Sequence, residues 1–221
     1  TIHVCIEPEP GCALDVAADM IDLFQNRLLP QGSADKILRH IRVCHDICHS
    51  AVMFESQADV LRQYQALGIQ VGKIQVSSAV QVDFSQLAVG DRTAAFEQLT
   101  SFNEPRYLHQ TCIREPNQSI HFHQDLSVAL ETVADPQSLE NAWSVHFHVP
   151  IFLESLGLLS TSQHDILECL EVCKSMPNLE HFEVETYAWN VLPEHLQQSD
   201  LAQGIADELL WFRNLVSTYR S

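Results

Sequence analysis

Apolar and polar positions follow two periods along this chain, and the periods themselves alternate. Ile2, Val4 and Ile6 recur at every second residue, the spacing of a strand with one buried face. After the turn-forming Pro8-Glu9-Pro10-Gly11, residues Leu14, Ala17, Ala18, Ile21, Phe24 and Leu28 recur at helical spacing and predict a helix over 13–29. Ser33 is placed to cap a short helix before the strand Ile41–Asp46. Ser56 is placed to cap a helix carrying Val60, Leu61, Tyr64 and Leu67, which Gly68 ends. A strand over 69–78 and a helix over 91–102 follow.

Residues 107–124 break this rhythm. Tyr107 to Ile113 and Ile120 to His123 flank the turn-forming Glu115-Pro116-Asn117-Gln118-Ser119, which predicts a hairpin insertion. The alternation resumes with a helix after Asp125, a strand over 144–149, and a helix from Ser162 with Asp165 as an imperfect capping box. A strand over 180–187 leads past Pro193 into a final helix capped by Ser199, with Leu201, Ile205, Leu209, Phe212, Val216 and Tyr219 as its apolar stripe. Five strands separated by helices imply parallel pairing through right-handed crossovers, so the class is α/β.

A doubly wound sheet and a β/α barrel both fit this order, and side-chain parity chooses between them. His3, Cys5 and Glu7 share one face of the first strand, and Cys44 and Asp46 one face of the second. In the third, Val71, Lys73 and Gln75 oppose Gly72, Ile74 and Val76; in the fourth, His146 and His148 oppose Val145, Phe147 and Val149. The fifth sets His181, Glu183, Glu185 and Tyr187 against Phe182 and Val184. Parallel sheets covered on both sides read apolar throughout. Strands with one apolar face and one polar toward the C-terminal end fit a closed barrel, whose chemistry sits at that mouth.

Composition narrows the partners. The 221 residues are 46% hydrophobic and 19% charged, with 29 acidic side chains against 12 Lys and Arg and a net charge of −17. Such a field repels polyphosphate backbones and anionic membranes, so nucleic acid is not expected as a partner and a small molecule or protein is. No apolar run approaches the roughly 18 residues of a membrane span, which predicts no direct membrane insertion, and the N-terminus lacks a signal-peptide layout. Seven cysteines, an odd number in a chain large enough to need no staples, predict core thiols in a reducing, cytoplasmic compartment. Neither Cys44 and Cys48 nor Cys169 and Cys173 have redox-motif spacing, and a zinc site from Cys44, His45, Cys48 and His49 is disfavoured because Cys44 and His45 face opposite ways. The run Gly68 to Lys73 is one residue short of a phosphate loop and is followed by Ile74 instead of Ser or Thr.

Glu7, Asp46 and Glu185 place three carboxylates in one mouth, where they repel one another unless a divalent cation joins them. Oxygen ligands favour magnesium or manganese ahead of zinc. His49, three residues after Asp46, lies within reach of metal or substrate. Lys73 offers a charge for an oxyanion, and Gln75 an amide oxygen for the metal.

These residues resemble the xylose-isomerase-like, sugar phosphate isomerase/epimerase TIM barrels in Ile6-Glu7-Pro8-Glu9-Pro10, Asp46-x-x-His49, Gly72-Lys73-Ile74-Gln75 and the late Glu185. More specifically, Cys5 to Cys12, Asp46 to His49, Pro105 to Gln110, Val145 to Pro150 and Glu183 to Trp189 resemble the EboE-type metabolite-traffic proteins, over most of the chain. The resemblance implies one divalent metal on Glu7, Asp46, Gln75 and Glu185, with Glu7 and Glu185 exchanging a proton with substrate carbon. It also implies His49, Lys73, His109, His146 and His148 as candidate substrate contacts. Two positions depart from it: Gln75 stands where many members have His, and Lys73 where epimerases often have a further His.

The family is longer than this chain, which opens at Thr1 directly into a strand. Residues 1–221 are therefore expected to be the C-terminal portion of a single TIM-barrel domain, its last five β/α units, with 107–124 as a hairpin insertion. The open sheet edges are expected to be covered by further N-terminal residues or in a homo-oligomer.

The function expected is a metal-dependent isomerase or epimerase acting on a small hydroxy-carbonyl metabolite. The alternative is a non-catalytic metabolite-binding or carrier protein that presents a precursor to membrane enzymes of its pathway. A metal-dependent repair endonuclease on the same fold is weakened by the acidic balance.

Overall fold

The computed structural model describes residues 2–186, 188–197 and 200–219. β1 (Val4–Ile6) leads through a turn to α1 (Ala17–Asp22), which starts where Asp19 Oδ2 accepts the amides of Asp15 and Val16 at 2.9 and 3.2 Å. The helical run predicted over 13–29 thus begins later, and it continues as a π-helical turn over Leu23–Leu28 and a 3-10 turn over Leu29–Gln31. α2 (Ala34–His40) follows Ser33, whose side chain makes no cap hydrogen bond. β2 (Ile41–Asp46) runs straight into α3 (Ile47–Val52). α4 (Gln57–Ala66) is capped by Ser56, whose Oγ accepts the Asp59 amide at 3.2 Å, and β3 (Val71–Val76) comes next.

β4 (Val80–Asp83) and α5 (Val89–Thr100) precede the hairpin of β5 (Thr111–Arg114) and β6 (Ile120–His123). Asp125 caps α6 (Leu126–Leu130), and β7 (Ala142–Val145), β8 (Ser155–Leu156) and β9 (Leu159–Thr161) complete the middle of the chain. α7 (Gln163–Cys173), β10 (Phe182–Val184) and α8 (Leu201–Tyr219) close it. The capping box expected at Ser162 does not form, because its hydroxyl accepts the Ala79 amide at 2.8 Å instead. Tyr187, the expected cap Ser199 and the Tyr219 side chain lie outside the described residues.

The class is mixed α/β, on two sheets. One is parallel with strand order β1-β2-β3-β10; the other is antiparallel with order β6-β5-β7-β4-β9-β8. Only Ser77, Ser78 and Ala79 separate β3 from β4, so one extended run supplies both sheets.

Pairing direction is where the structure departs from the sequence reading. The predicted fourth strand was expected to join the parallel set, yet β7 lies antiparallel between β4 and β5. Residues 146–149 leave the sheet and pass the end of β3, where the Val149 amide donates to Ser78 O at 3.0 Å. The hairpin forms with the expected turn, and β5 also extends the second sheet through β7.

A bulge in β3 corrects the parity. Val71 pairs with Val43, and Lys73 with Cys44, so Gly72 is an extra residue that no β2 residue opposes. Val71 consequently joins Val43, Ile74 and Val76 in the apolar core, while Lys73 and Gln75 keep the face of Cys44 and Asp46. Strict alternation had put Val71 on the polar face.

That core packs one side of the parallel sheet against Met20 and Phe24, Leu61 and Tyr64 of α4, and Ile166 and Leu170 of α7. Each such side chain contributes about 1.5–3 kcal/mol through burial. A second core, around Trp143, Phe84, Phe102, Phe147 and Leu126, fixes the antiparallel sheet to α5 and α6. With the helices on one face, the polar face of the parallel sheet is left for the strand-end carboxylates. No helix among the described residues is long and apolar enough to cross a membrane.

Candidate metal centre

The corner from β2 into α3 fixes the first ligand. Asp46 Oδ1 accepts the His49 amide at 2.9 Å and the Ser77 hydroxyl at 2.8 Å, while Ser77 Oγ accepts the Cys48 amide at 2.9 Å. Asp46 Oδ2 is buried without a partner among the described residues. Glu185 follows β10, its amide donating to Val76 O at 3.0 Å, and Glu7 follows β1. One carboxylate oxygen each from Glu7, Asp46 and Glu185 lies within 4.8 Å of the other two. Gln75 opposes Asp46 in the β2–β3 register, and its amide nitrogen donates to Glu185 Oε2. Gln75 Oε1 is buried and has no partner among the described residues.

Such crowding leaves its mark on protonation. Burial raises the Glu185 carboxyl to about 7, and the charges of Asp46 and Glu7 push the same way. Glu7 is raised by burial and by Asp46. Burial also disfavours charge on Asp46, but His49, His148, the His49 amide and the Ser77 hydroxyl outweigh it and hold that carboxyl below its ordinary value. Asp46 is thus the fixed negative charge, and the two glutamates carry the strain of repulsion.

Three histidines stand beside the carboxylates. His49 is nearly buried, its Nδ1 donating to Pro8 O at 2.9 Å and lying 3.6 Å from Glu7 Oε1. Burial opposes its protonation, yet Asp46 and Glu7 prevail and raise it. His146 packs edge-on against His49 with ring centroids 4.7 Å apart, and its Nε2 is 3.2 Å from His148 Nε2. Burial lowers both His146 and His148.

Two of the candidate substrate contacts stand elsewhere. His109 is fully buried against Phe147, with Nδ1 at 3.0 Å from His146 O and Nε2 at 2.9 Å from Glu104 Oε1, so both ring nitrogens are engaged within the protein. Lys73 sits one layer deeper, opposite Cys44, with Nζ 2.5 Å from Glu183 Oε2. It faces a cavity of about 500 Å³ that His3, Cys5 and Glu183 also line.

Sequence reasoning brought Glu7, Asp46, Gln75, Glu185, His49, His146 and His148 to one place and overlooked the groups that hold them. Ser77 was visible in principle, because it continues the Lys73, Gln75 parity past the end of β3. Gln110, whose Oε1 accepts from His146 Nδ1 at 2.8 Å, belongs to the Pro105 to Gln110 stretch but was given no role. Glu9, which with His49 and His146 could hold a cation, was read as part of a turn and of the Ile6 to Pro10 stretch, with no ligand role of its own.

Three carboxylates and the Gln75 amide oxygen form an oxygen-rich pocket that suits a hard divalent cation. A cation there would satisfy both orphaned oxygens and relieve the repulsion at Glu7 and Glu185. No protein-family model, curated protein or solved structure matches this chain.

Proposed function

We propose that this protein is a metal-dependent isomerase or epimerase acting on a small hydroxy-carbonyl metabolite. The reading extends to kinship with the EboE-type, sugar-isomerase-like barrels, with the parallel sheet β1-β2-β3-β10 as the part that carries the ligands. The observation that carries it is the convergence of Glu7, Asp46 and Glu185 at the C-terminal ends of parallel strands, with Asp46 Oδ2 and Gln75 Oε1 lacking partners among the described residues. Ligands gather at that end of parallel strands in α/β folds. The odd number of cysteines supports a reducing, cytoplasmic setting.

Glu7, Asp46, Gln75 and Glu185 would hold one magnesium or manganese ion. When bound, the ion supplies Lewis-acid polarisation of the substrate oxygen next to the labile C–H. Glu7 removes the carbon-bound proton as general base, and Glu185 returns one as general acid. His49, raised toward its cationic form, is placed to donate to a substrate oxygen.

Metal analysis of the purified protein, followed by deuterium exchange from solvent into candidate sugars, tests the reading. One carboxylate-bound divalent cation and exchange at the carbon beside the carbonyl are expected, with exchange abolished in Glu185→Gln. Absence of both metal and exchange overturns it. Metal and sugar binding without exchange assigns the carrier role instead.

A further inference from the structure

His146 and His148 meet through their Nε2 atoms, 3.2 Å apart, and their other nitrogens decide what that contact is. His146 Nδ1 faces Gln110 Oε1 at 2.8 Å, and His148 Nδ1 faces the Glu185 carbonyl at 2.7 Å. Both of those partners accept, so both Nδ1 atoms donate, and the neutral rings turn two Nε2 lone pairs toward one another. Two lone pairs at hydrogen-bond distance repel unless something positive lies between them. Both histidines are buried.

A metal ion resolves the conflict. Two imidazole nitrogens bound to zinc at about 2.0–2.1 Å in tetrahedral arrangement stand about 3.3 Å apart, close to the spacing here. An acceptor on the far nitrogen of each ring is the arrangement that fixes a ligating histidine's tautomer. Among the described residues, three groupings that could hold a cation include a histidine, and only the one with Cys48 contains both members of the pair. Cys48 Sγ lies within 4.8 Å of the ligand nitrogens of both, and its position is set by the amide hydrogen bond to Ser77.

We propose that Cys48, His146 and His148 form a second, softer metal site for zinc beside the carboxylate site. Thiolate and imidazole donors select zinc where carboxylates select magnesium or manganese. As the S–Zn bond forms, the Cys48 proton leaves to solvent, so buried Cys48 is neutral without the ion and a thiolate with it. His148 also groups with Asp46 and His49, which sets the two ions side by side.

The test uses the chelator-stripped chain loaded with cobalt(II) alone. Two equivalents and a near-ultraviolet thiolate-to-cobalt charge-transfer band are expected. Cys48→Ser removes the band and one equivalent; Glu7→Gln removes an equivalent and leaves the band. His146→Asn spares the thiol and is expected to weaken the band-forming site about tenfold or more, which decides the matter if Cys48→Ser does not fold. No band in the wild type, or a band unchanged by His146→Asn or by Cys48→Ser, overturns the second site. Failure of Glu7→Gln to lose an ion counts against the carboxylate site only.

Discussion

Asp46 and Ser77 meet across the ends of two neighbouring strands, the Ser77 hydroxyl donating to Asp46 Oδ1 at 2.8 Å while its oxygen accepts the Cys48 amide at 2.9 Å. One buried hydroxyl therefore orients a carboxylate and anchors the first turn of α3. Both functions fall outside what a motif of acidic residues would reveal.

Ser77→Ala leaves the buried Cys48 amide without an acceptor, which costs about 1–3 kcal/mol. It also frees the Asp46 carboxylate to rotate, and loss of such an orienting partner typically weakens metal affinity about 10–100-fold. Urea denaturation of the metal-free chain and titration with manganese separate the two effects. A variant as stable as wild type with unchanged affinity would show that Ser77 only fills space.

Gly72 sets the register that puts Lys73 and Gln75 on the site face. A Cβ there would lie 2.6 Å from Cys5 Sγ and 2.9 Å from Arg42 Cβ, too close for either to remain in place. Gly72→Ala is expected to destabilise by about 1–3 kcal/mol through overpacking. If the bulge shifts in response, Gln75 leaves the carboxylates and cation affinity falls too. Denaturation midpoints and metal titration check both, and wild-type values for each would mean that β1 moves aside freely.

Glu208, on α8, is buried and tied to the loops around Glu185. Its Oε1 accepts the Ile151 amide at 3.1 Å and the Thr186 hydroxyl at 2.5 Å, and its Oε2 accepts Trp189 Nε1 at 3.1 Å. Glu208→Ala orphans the Ile151 amide and the Trp189 indole, each at about 1–3 kcal/mol. Glu208→Gln keeps the Oε1 pair and turns an amide donor on the indole donor, so it loses only the Trp189 bond. Stability should therefore order as wild type, Gln, Ala by thermal denaturation; equal Gln and Ala variants would exclude this division of labour.

Much of the candidate site was legible in the sequence because strand parity is local. Glu7, Asp46, Gln75 and Glu185 each fall at a strand's C-terminal end on its polar face, and the structure brings them together. What stayed hidden depends on distant parts of the chain. The Val80-Gln81-Val82 alternation was present, but nothing local says that β4 pairs antiparallel with β7, which draws Ala142–Val145 out of the parallel set. The bulge that returns Val71 to the core is a property of two strands together. His109 reads like its neighbours until Glu104 and the His146 carbonyl are seen to occupy both of its nitrogens.

The pH dependence of stability offers the sharpest test of the crowded carboxylates. Glu185 has an ordinary value of 4.5 and is raised by burial and by Asp46 and Glu7 to about 7 in the fold. Between those two values the unfolded chain has already lost this proton and the folded chain still holds it. Unfolding then releases a proton, so the Glu185 contribution to stability is fully present below pH 4.5 and is lost as pH rises through about 7. Glu185→Gln has no proton to release. In chelator, the stability difference between variant and wild type is expected to shift in the variant's favour across that window and to level off above it. The histidines titrate in both proteins and largely cancel in the difference. Excess manganese should reverse the trend for wild type, because the cation binds the ionised carboxylate and its affinity rises with pH through the same range. Denaturant titrations at several pH values, with and without manganese, measure both slopes. A flat difference in chelator would mean that Glu185 is not crowded by Asp46 and Glu7, and the carboxylate site would lose its electrostatic basis.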